Sequence, residues 1–505
     1  MEKRAICIVL LLIIASFFTT GSKGNTLQGE WNKTYGGDEY DVLYCVKETN
    51  DNGYIATGVY TQNGAQYAWL LKLDENGNVE WERKEMGNDV YIQPTYVEET
   101  NDGYIVCGVF NSPDAKFGDY KSFLWKLDNN GNTQWIKTYY ERIWVIKKET
   151  EGYIGAGYDA LSDSDYDAIL MKINEDGNTE WKKVYRYGAG YDYGYSLTKT
   201  SDGYLIGGYV SKSKDLDFWL IKTDMQGNKQ WSRTYGGSKD DYSIARNIFE
   251  TSDGYIMVGV TNSFGNGKND AWLIKTDSNG KMIWNKTFGG KGEDRIWSME
   301  KTLDGGYLLC ITKNYGGPFG WTGDIWIVKV DENGDMLWNQ TFGGKGEDRG
   351  YYIHATSDGG YIVAGRTESF SSSSDGWLIK VKNVPPNKPS RPQGEANGKI
   401  NREYTYITST IDSNGDEVYY MFDWGDNTTS QWIGPFKSGE TINASHTWKE
   451  EGTYRIRVKA KDANGLESPW SDYMVVSMPK EVIWKLEKLP FIYLLLRFFF
   501  SFFSI

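Results

Sequence analysis

A tryptophan returns about every 51 residues along this chain, at Trp31, Trp81, Trp135, Trp181, Trp231, Trp284 and Trp338. Each is followed by a variant of Lys-Thr-Tyr-Gly-Gly and a polar loop. A hairpin such as SDGGYIVAGR comes next, and a run such as DAWLIKTDSNG leads to the next tryptophan. A unit repeated at this period cannot bury its own apolar face, so neighbouring units must stack. The unit ending at Trp338 reads as four strands. Residues 298–302 and 307–312 flank Leu303-Asp304-Gly305-Gly306, a Gly-ended hairpin connection. Residues 324–330 form the third strand, Asp331-Glu332-Asn333-Gly334 turns the chain, and residues 336–341 form the fourth, with Trp338 at its centre. No stretch carries a sustained helical apolar period, so the repeat region is expected to be all-β.

Four short strands per unit at this period predict a β-propeller blade, with strands A to D running outward. Seven A-B-C sets follow Trp31, and the last ends at Trp377-Leu378-Ile379-Lys380 with no tryptophan strand after it. The strand around Trp31 precedes the first A strand. It is therefore expected to pair with the seventh set, closing a seven-bladed propeller over residues 25–383 in a one-plus-three arrangement. Each tryptophan is expected to pack between blades.

Residues 1–24 read as a secretory signal, with Lys3 and Arg4 ahead of an apolar stretch from Ala5 to Phe18 that is short for a bilayer span. Cys45, Cys107 and Cys310 remain after it, an odd number without close spacing and all in expected strands, which suits small buried hydrophobes better than a disulfide or metal framework. His354 and His446 fall in different domains, and no cofactor or metal is expected. The formal net charge of −13 argues against nucleic acid as a partner, because phosphate binding needs a basic surface. Five sequons, at Asn32, Asn285, Asn339, Asn427 and Asn443, carry little information, since three recur with the tryptophan strand.

The repeat stops at VPPNKPSRP, and residues 384–392 read as a stiff extended linker. Short strands at 404–408, 418–423, 454–461 and 473–477 then suggest a small β-sandwich over residues 393–478. The motifs Tyr420-Met421-Phe422-Asp423-Trp424-Gly425-Asp426-Asn427, His446-Thr447-Trp448 and Gly452-Thr453-Tyr454, running on to Asp462, closely resemble a PKD domain. That family usually has Gly where Asn427 stands and Tyr where Trp448 stands. The resemblance implies an Ig-like spacer on a surface or secreted protein, sometimes binding proteins or glycans. In the repeat region, Asp74-Glu75-Asn76-Gly77-Asn78-Val79-Glu80-Trp81 is similar to the docking motif of quinoprotein propellers and to the Asp-box hairpin of sialidases. Both are structural devices, and without an eighth blade or a vicinal cysteine pair no cofactor is implied. The whole layout resembles surface proteins of archaea and some bacteria.

Comparing the seven copies separates two loop classes. The A-B and C-D turns barely change, whereas the D-A and B-C loops vary in length and content, and in a four-stranded meander these emerge on the same side. That side is aromatic and acidic. The candidate ligand contacts are Tyr315, Phe319, Trp321, Phe264, Asp270 and Asp324, since aromatic rings with nearby carboxylates suit sugar faces and hydroxyls or a protein partner. The alternative is that the recurrent aspartates, which include Asp41, Asp241, Asp294 and Asp348, cap backbone amides at one place in every unit. No Ser-His-Asp set, metal cluster or phosphate loop is visible. Asp412-Ser413-Asn414-Gly415-Asp416 is a calcium-like loop or simply a turn. A hydrolase or lyase would be exposed by carboxylates present in single blades and directed into the central channel. Residues 479–505 form an apolar tail interrupted by Arg497, and residues 482–505 suit membrane or envelope association. The expectation is a secreted or cell-surface binding or adhesion protein that takes glycan or protein. A polysaccharide-active hydrolase or lyase and a structural envelope protein are the alternatives.

Overall fold

The computed structural model describes residues 29–479 apart from 88–90, 112–119, 163–164, 213, 304, 316–322 and 372. The expected signal and all of the apolar tail beyond Pro479 lie outside the described residues. What is described is all-β, built from antiparallel sheets.

Seven of these sheets follow the tryptophan repeat. The first consists of Val42–Glu48, Tyr54–Gln62, Ala65–Leu73 and Val79–Glu85, paired in chain order as strands A, B, C and D. The next five repeat this order. The seventh takes strands A to C from Asp348–Ala355, Tyr361–Thr367 and Asp375–Val381, and its fourth strand from Gly29–Tyr35, with Thr34 opposite Trp377. Each sheet packs on the next, and strand A of the first packs on strand B of the seventh. The expected strand limits in the Trp338 unit agree with Arg295–Lys301, Tyr307–Lys313, Asp324–Val330 and Met336–Phe342 to within a few residues.

The tryptophans fasten one sheet to the next. Trp31 of the seventh sheet lies edge-on to Tyr54 of the first at 5.8 Å, and Trp81 of the first meets Tyr104 of the second at 5.8 Å. Six of the seven also cover the C-D turn of the following sheet. A Cβ added to Gly77, Gly131, Gly177, Gly227, Gly280 or Gly334 would lie 2.7–2.9 Å from a ring atom of Trp31, Trp81, Trp135, Trp181, Trp231 or Trp284 respectively. These six glycines have φ between 73° and 78°. The turn thus needs glycine twice, for its left-handed backbone and for the space the indole occupies. Asp74 organises the turn by accepting the amides of Asn76 and Asn78 at 2.9 and 2.7 Å.

The A-B turns are pinned from within. Strand C carries a buried lysine in six of the seven sheets, and Lys126, Lys222 and Lys275 reach Asp102, Asp202 and Asp253 of the A-B turns. These ammonium groups are the main reason that the three carboxyls titrate below the usual range. The invariance of both turn classes is therefore a packing requirement. Cys45, Cys107 and Cys310 are free and buried.

Residues 393–478 form a two-sheet sandwich. Tyr404–Thr408 pairs with Gln393–Gly394 and Ile442–His446, facing a sheet ordered Ile433–Phe436, Val418–Asp423, Gly452–Asp462, Met474–Met478. The quoted motif residues build its core. Trp448 is fully buried, Trp424 stacks on His446 at 4.8 Å, and His446 Nε2 sits 2.7 Å from Asp426. Asn427 has φ 66°, a conformation asparagine tolerates in place of glycine. Residues 384–392 lie along this sandwich: the amides of Asn387 and Ser390 donate to the carbonyls of Ile411 and Ser409, both at 2.9 Å.

The sandwich also completes the repeat. The seventh sheet takes strand D from the chain's other end and so has no C-D turn, which leaves Trp338 without the partner every other tryptophan has. Gly415, with φ 76°, fills that place, and a Cβ on it would lie 2.2 Å from the Trp338 ring. Asp412 accepts the amides of Asn414 and Asp416 at 2.8 and 3.2 Å, as Asp74 does in its own turn. Asn414 ties the two parts by donating to Lys382 O at 3.0 Å and accepting from the Val384 amide at 2.7 Å. The loop 412–416 is a fastening turn in the described structure.

Trp338→Ala is expected to weaken this junction by about 3 kcal/mol, the low end for a tryptophan because it is only partly buried. Limited proteolysis should then cut between residues 382 and 392 while Trp181→Ala leaves that segment protected. A second outcome concerns pH. Burial, reinforced by the Asp462 carboxylate, pushes the Asp412 carboxyl up to about 7. The unfolded value is about 3.9, so the folded chain holds a proton that the unfolded chain releases between those values. The stabilisation is complete below about pH 4 and is lost as pH rises through 7. The melting temperature of the wild type should fall over this window relative to Asp412→Asn, and parallel curves would refute the assignment.

Candidate functional site

Strand A carries the site, through an irregularity that recurs. Its pairing with strand B slips by one residue at Tyr44, Thr95, Trp144, Tyr195, Trp297 and Tyr351, in six of the seven sheets. A bulge re-aims the residue it contains. In the fifth sheet the strand breaks outright between Asp241–Tyr242 and Ile248–Thr251, and Arg246 takes the corresponding position. The seven positions recur at intervals of 49 to 54 residues.

These side chains converge. A cavity of about 310 Å3 is lined by Tyr40, Tyr44, Gln93, Trp144, Tyr195, Ile244, Arg246, Trp297, Arg349 and Tyr351, so that all seven sheets contribute. Tyr351 joins Tyr44 at 5.0 Å and Trp297 at 5.2 Å, and Trp144 meets Tyr195 at 5.2 Å. Burial pushes the phenols of Tyr44 and Tyr195 well above their ordinary value and that of Tyr351 up to about 12. All three are protonated donors at neutral pH. Arg246 is 8% exposed, and its Nη1 donates to Tyr44 O at 2.8 Å and to Thr95 O, carbonyls of two other sheets.

Three residues further along each strand, a second tier comprises Lys47, Glu98, Lys147, Thr198, Phe249, Glu300 and His354. All but His354 line a second cavity of about 280 Å3. Lys147 lies 3.6 Å from Glu98, and His354 Nδ1 lies 3.3 Å from Glu300. Burial, then the charge of Lys47, holds the His354 imidazole below its ordinary value. Burial opposes ionisation of Glu300, but His354 and Lys47 outweigh it and its carboxyl titrates below the usual range. The carboxylates directed inward are thus neutralised by cations of the same tier.

The residues singled out from sequence do not form one cluster. Tyr315 reaches the cavity rim: its ring lies between the guanidinium groups of Arg295 and Arg349, at 4.2 and 4.3 Å, and Arg349 lines the cavity. Phe264 is 42% exposed and packs on Trp272 at 5.4 Å, away from the cavity-lining residues. Asp270 is buried and accepts the Asn266 amide at 2.8 Å, within its own B-C loop. Asp324 sits at the start of its strand, opposite Lys313 and so close to Gly343 that a Cβ there would lie 2.0 Å from its carboxylate. Phe319 and Trp321 lie outside the described residues.

The D-A aspartates cap backbone. Asp41, Asp241, Asp294 and Asp348 accept the amides of Gly37, Gly237, Gly290 and Gly344 at 2.6–2.9 Å, four residues upstream in each case. No group of three His, Cys, Asp or Glu side chains suited to a metal ion occurs among the described residues.

Sequence reasoning missed the cavity because its residues sit inside strands and look like core. One signal was available: aligning the seven A strands puts an aromatic at five of the positions, threonine at one and a lone arginine at Arg246. Asp241→Ala provides a test of the capping role. Asp241 is fully buried and also accepts from Thr261, Asn262 and Ser263, so its loss should cost about 3 kcal/mol. Amide exchange should accelerate in residues 236–240 and 262–264 and stay unchanged at Trp144 and Tyr195.

Comparison with known proteins concerns the sandwich. Residues 395–475 match the model of the PKD domain. None of the curated proteins matches the chain. Among solved structures, it is similar to the PKD domain of an M14-like peptidase from a Thermoplasmatales archaeon, with 48% identity over 19% of this chain and 99% of that one and a TM-score of 0.19. PKD domains are typical of extracellular proteins, and no helix among the described residues is long and apolar enough to cross a membrane. The chain is therefore an all-β protein in which residues 395–475 are a PKD domain.

Proposed function

We propose that the seven repeat sheets are the blades of a seven-bladed β-propeller and that the protein is an extracellular or cell-surface binding or adhesion protein. Its ligand is a glycan or a protein side chain cluster, held in the cavity between the A strands. The observation that carries this reading is the convergence of six aromatic rings from five sheets on one cavity of about 310 Å3. That volume is near the lower end of ligand cavities, roughly 300 to 1,000 Å3, and suits one sugar unit or a small group on a partner. Aromatic faces pack against the C–H faces of sugars, and the neutral phenols of Tyr44, Tyr195 and Tyr351 supply hydrogen-bond donors. The capped D-A loops and pinned turns give the rigid frame that a pre-formed site needs.

A polysaccharide hydrolase or lyase is the second reading, favoured by Glu98 and Glu300 in the tier beneath. Glu98 faces Lys147, and the Glu300 carboxyl is held below the usual range by His354 and Lys47, which makes it a poor general acid. Binding without turnover is the better account. Secretion and association of residues 482–505 with the membrane or envelope complete the proposal.

A glycan array probed with the full chain is the direct measurement. Saturable binding to a subset of glycans, reduced about tenfold or more in Trp297→Ala and Tyr195→Ala proteins that still melt cooperatively, is the expected result. Binding that survives both substitutions would move the site elsewhere, and release of reducing ends from the bound glycans would establish the hydrolase.

A further inference from the structure

The cavity has an electrostatic character that its aromatic lining does not explain. The chain carries 68 Asp and Glu against 55 Lys and Arg, yet none of the ten residues lining the cavity is acidic and two are arginines. Arg349 is accounted for. Its Nε donates to Glu347 at 2.8 Å, and Glu347, 2% exposed, also receives Arg366, which in turn reaches Glu368 at 2.6 Å. Two guanidinium groups and two carboxylates balance there.

Arg246 is different. It is 8% exposed, lines the cavity, and its hydrogen bonds run to the main-chain carbonyls of Tyr44 and Thr95. It pairs with no carboxylate among the described residues. A buried cation without a counter-ion is costly, and a structural tie between carbonyls could be made by a neutral amide. The fold also departs from its own rule to place this group: the fifth sheet alone breaks strand A, over residues 243–247, where six others keep it with a single bulge. Asn247 holds the break in position by donating to Met299 O of the sixth sheet at 2.7 Å.

We infer that Arg246 is the anion anchor of this cavity and that the ligand is an acidic saccharide, a sugar unit bearing a carboxylate. This deepens the proposed binding role and rests on it. The sugar ring stacks within the Trp144, Tyr195, Trp297 and Tyr351 rings, and its carboxylate supplies the charge that Arg246 lacks. Guanidinium presents a planar fork of donors that matches a carboxylate. The small volume sets the unit recognised at one sugar, at a chain end or as a single substituent.

Isothermal titration of the full chain with D-glucuronate, D-galacturonate and trigalacturonate, beside glucose, galactose, maltotriose and sodium sulfate, tests the inference. At least one acidic saccharide should bind about tenfold or more tighter than its neutral counterpart. Arg246→Gln should bring that ratio close to one, whereas Arg246→Lys retains part of it. Sulfate binding that is competitive and as tight as the uronates would overturn the carboxylate assignment. Equal affinity for acidic and neutral sugars would overturn the anion anchor while leaving the binding role standing. Heat from none of the saccharides would overturn the anion anchor together with the glycan form of the binding role. The wild-type comparison decides the question even if Arg246→Gln fails to fold.

Discussion

Everything in the repeat region depends on one contact, an indole laid over the left-handed glycine of the next sheet's C-D turn. Each sheet is amphipathic only in the aggregate: its B and C strands are buried on both faces, so a single sheet exposes more apolar surface than it covers. Stacking removes that surface from water, but burial alone does not set the angle or register between neighbours. The tryptophan does. It sits on the outer strand, where the sheet is otherwise polar, and it meets a turn whose geometry is fixed by Asp74-type side-chain bonds and by a glycine with φ near 75°. A Cβ at any of these glycines would intrude on the ring, so tryptophan and glycine constrain one another across six of the seven junctions.

This mutual constraint is also why the repeat was legible from sequence. Residues that must satisfy the same neighbour in every unit recur in register, and Trp31 to Trp338, the Asp-x-Asn-Gly turns and the strand between them could be placed to within a few residues. The pairing of Gly29–Tyr35 with Asp375–Val381 followed from counting units. The PKD domain was legible because its core residues, Trp424, His446 and Trp448, are contiguous motifs. The cavity between the A strands was not legible, for the opposite reason. Tyr44, Trp144, Tyr195, Trp297 and Tyr351 differ from core strand residues only by a one-residue slip in pairing, which is a property of two strands and not of either sequence alone. The recurrent aspartates pose the opposite ambiguity, and backbone capping is the reading the sequence offers beside ligand contact. Asp270 and the D-A carboxylates are conspicuous because a loop of fixed shape needs an acceptor at a fixed place, a structural reason for recurrence that resembles a functional one.

The interior between the A strands shows how charge is handled when it must be buried. In the lower tier, Lys47, Glu98, Lys147, Glu300 and His354 occupy equivalent positions of different sheets, two lysines match two carboxylates, and each acid has a basic neighbour. At the cavity rim, Glu347 does the same for Arg349 and Arg366. Against that background an uncompensated Arg246 stands out. Two tiers built on the same strands therefore have opposite electrostatic designs: the lower one is closed by internal pairing, and the upper one leaves a cation and a set of neutral phenols facing an open volume.

The docking of the PKD domain follows from the same logic that orders the sheets. Taking the seventh fourth-strand from the other end of the chain pairs an edge that would otherwise be exposed, but it removes one C-D turn from the count. Trp338 is then the one tryptophan whose groove no repeat can fill. A turn of the same construction, Asp412 to Asp416, arrives from a different fold and seats its glycine where the missing one belongs. The apolar core of the PKD sandwich is built around Trp424 and Trp448 and does not include that turn. The junction is instead explained by the tryptophan it covers, and it converts a spacer on a proline-rich segment into a body held in a defined orientation to the repeat sheets, with Asn414 and Asn383 bonding across the boundary. For the proposed binding role such a mount matters, because an orientation fixed beforehand is ordering entropy that binding need not overcome.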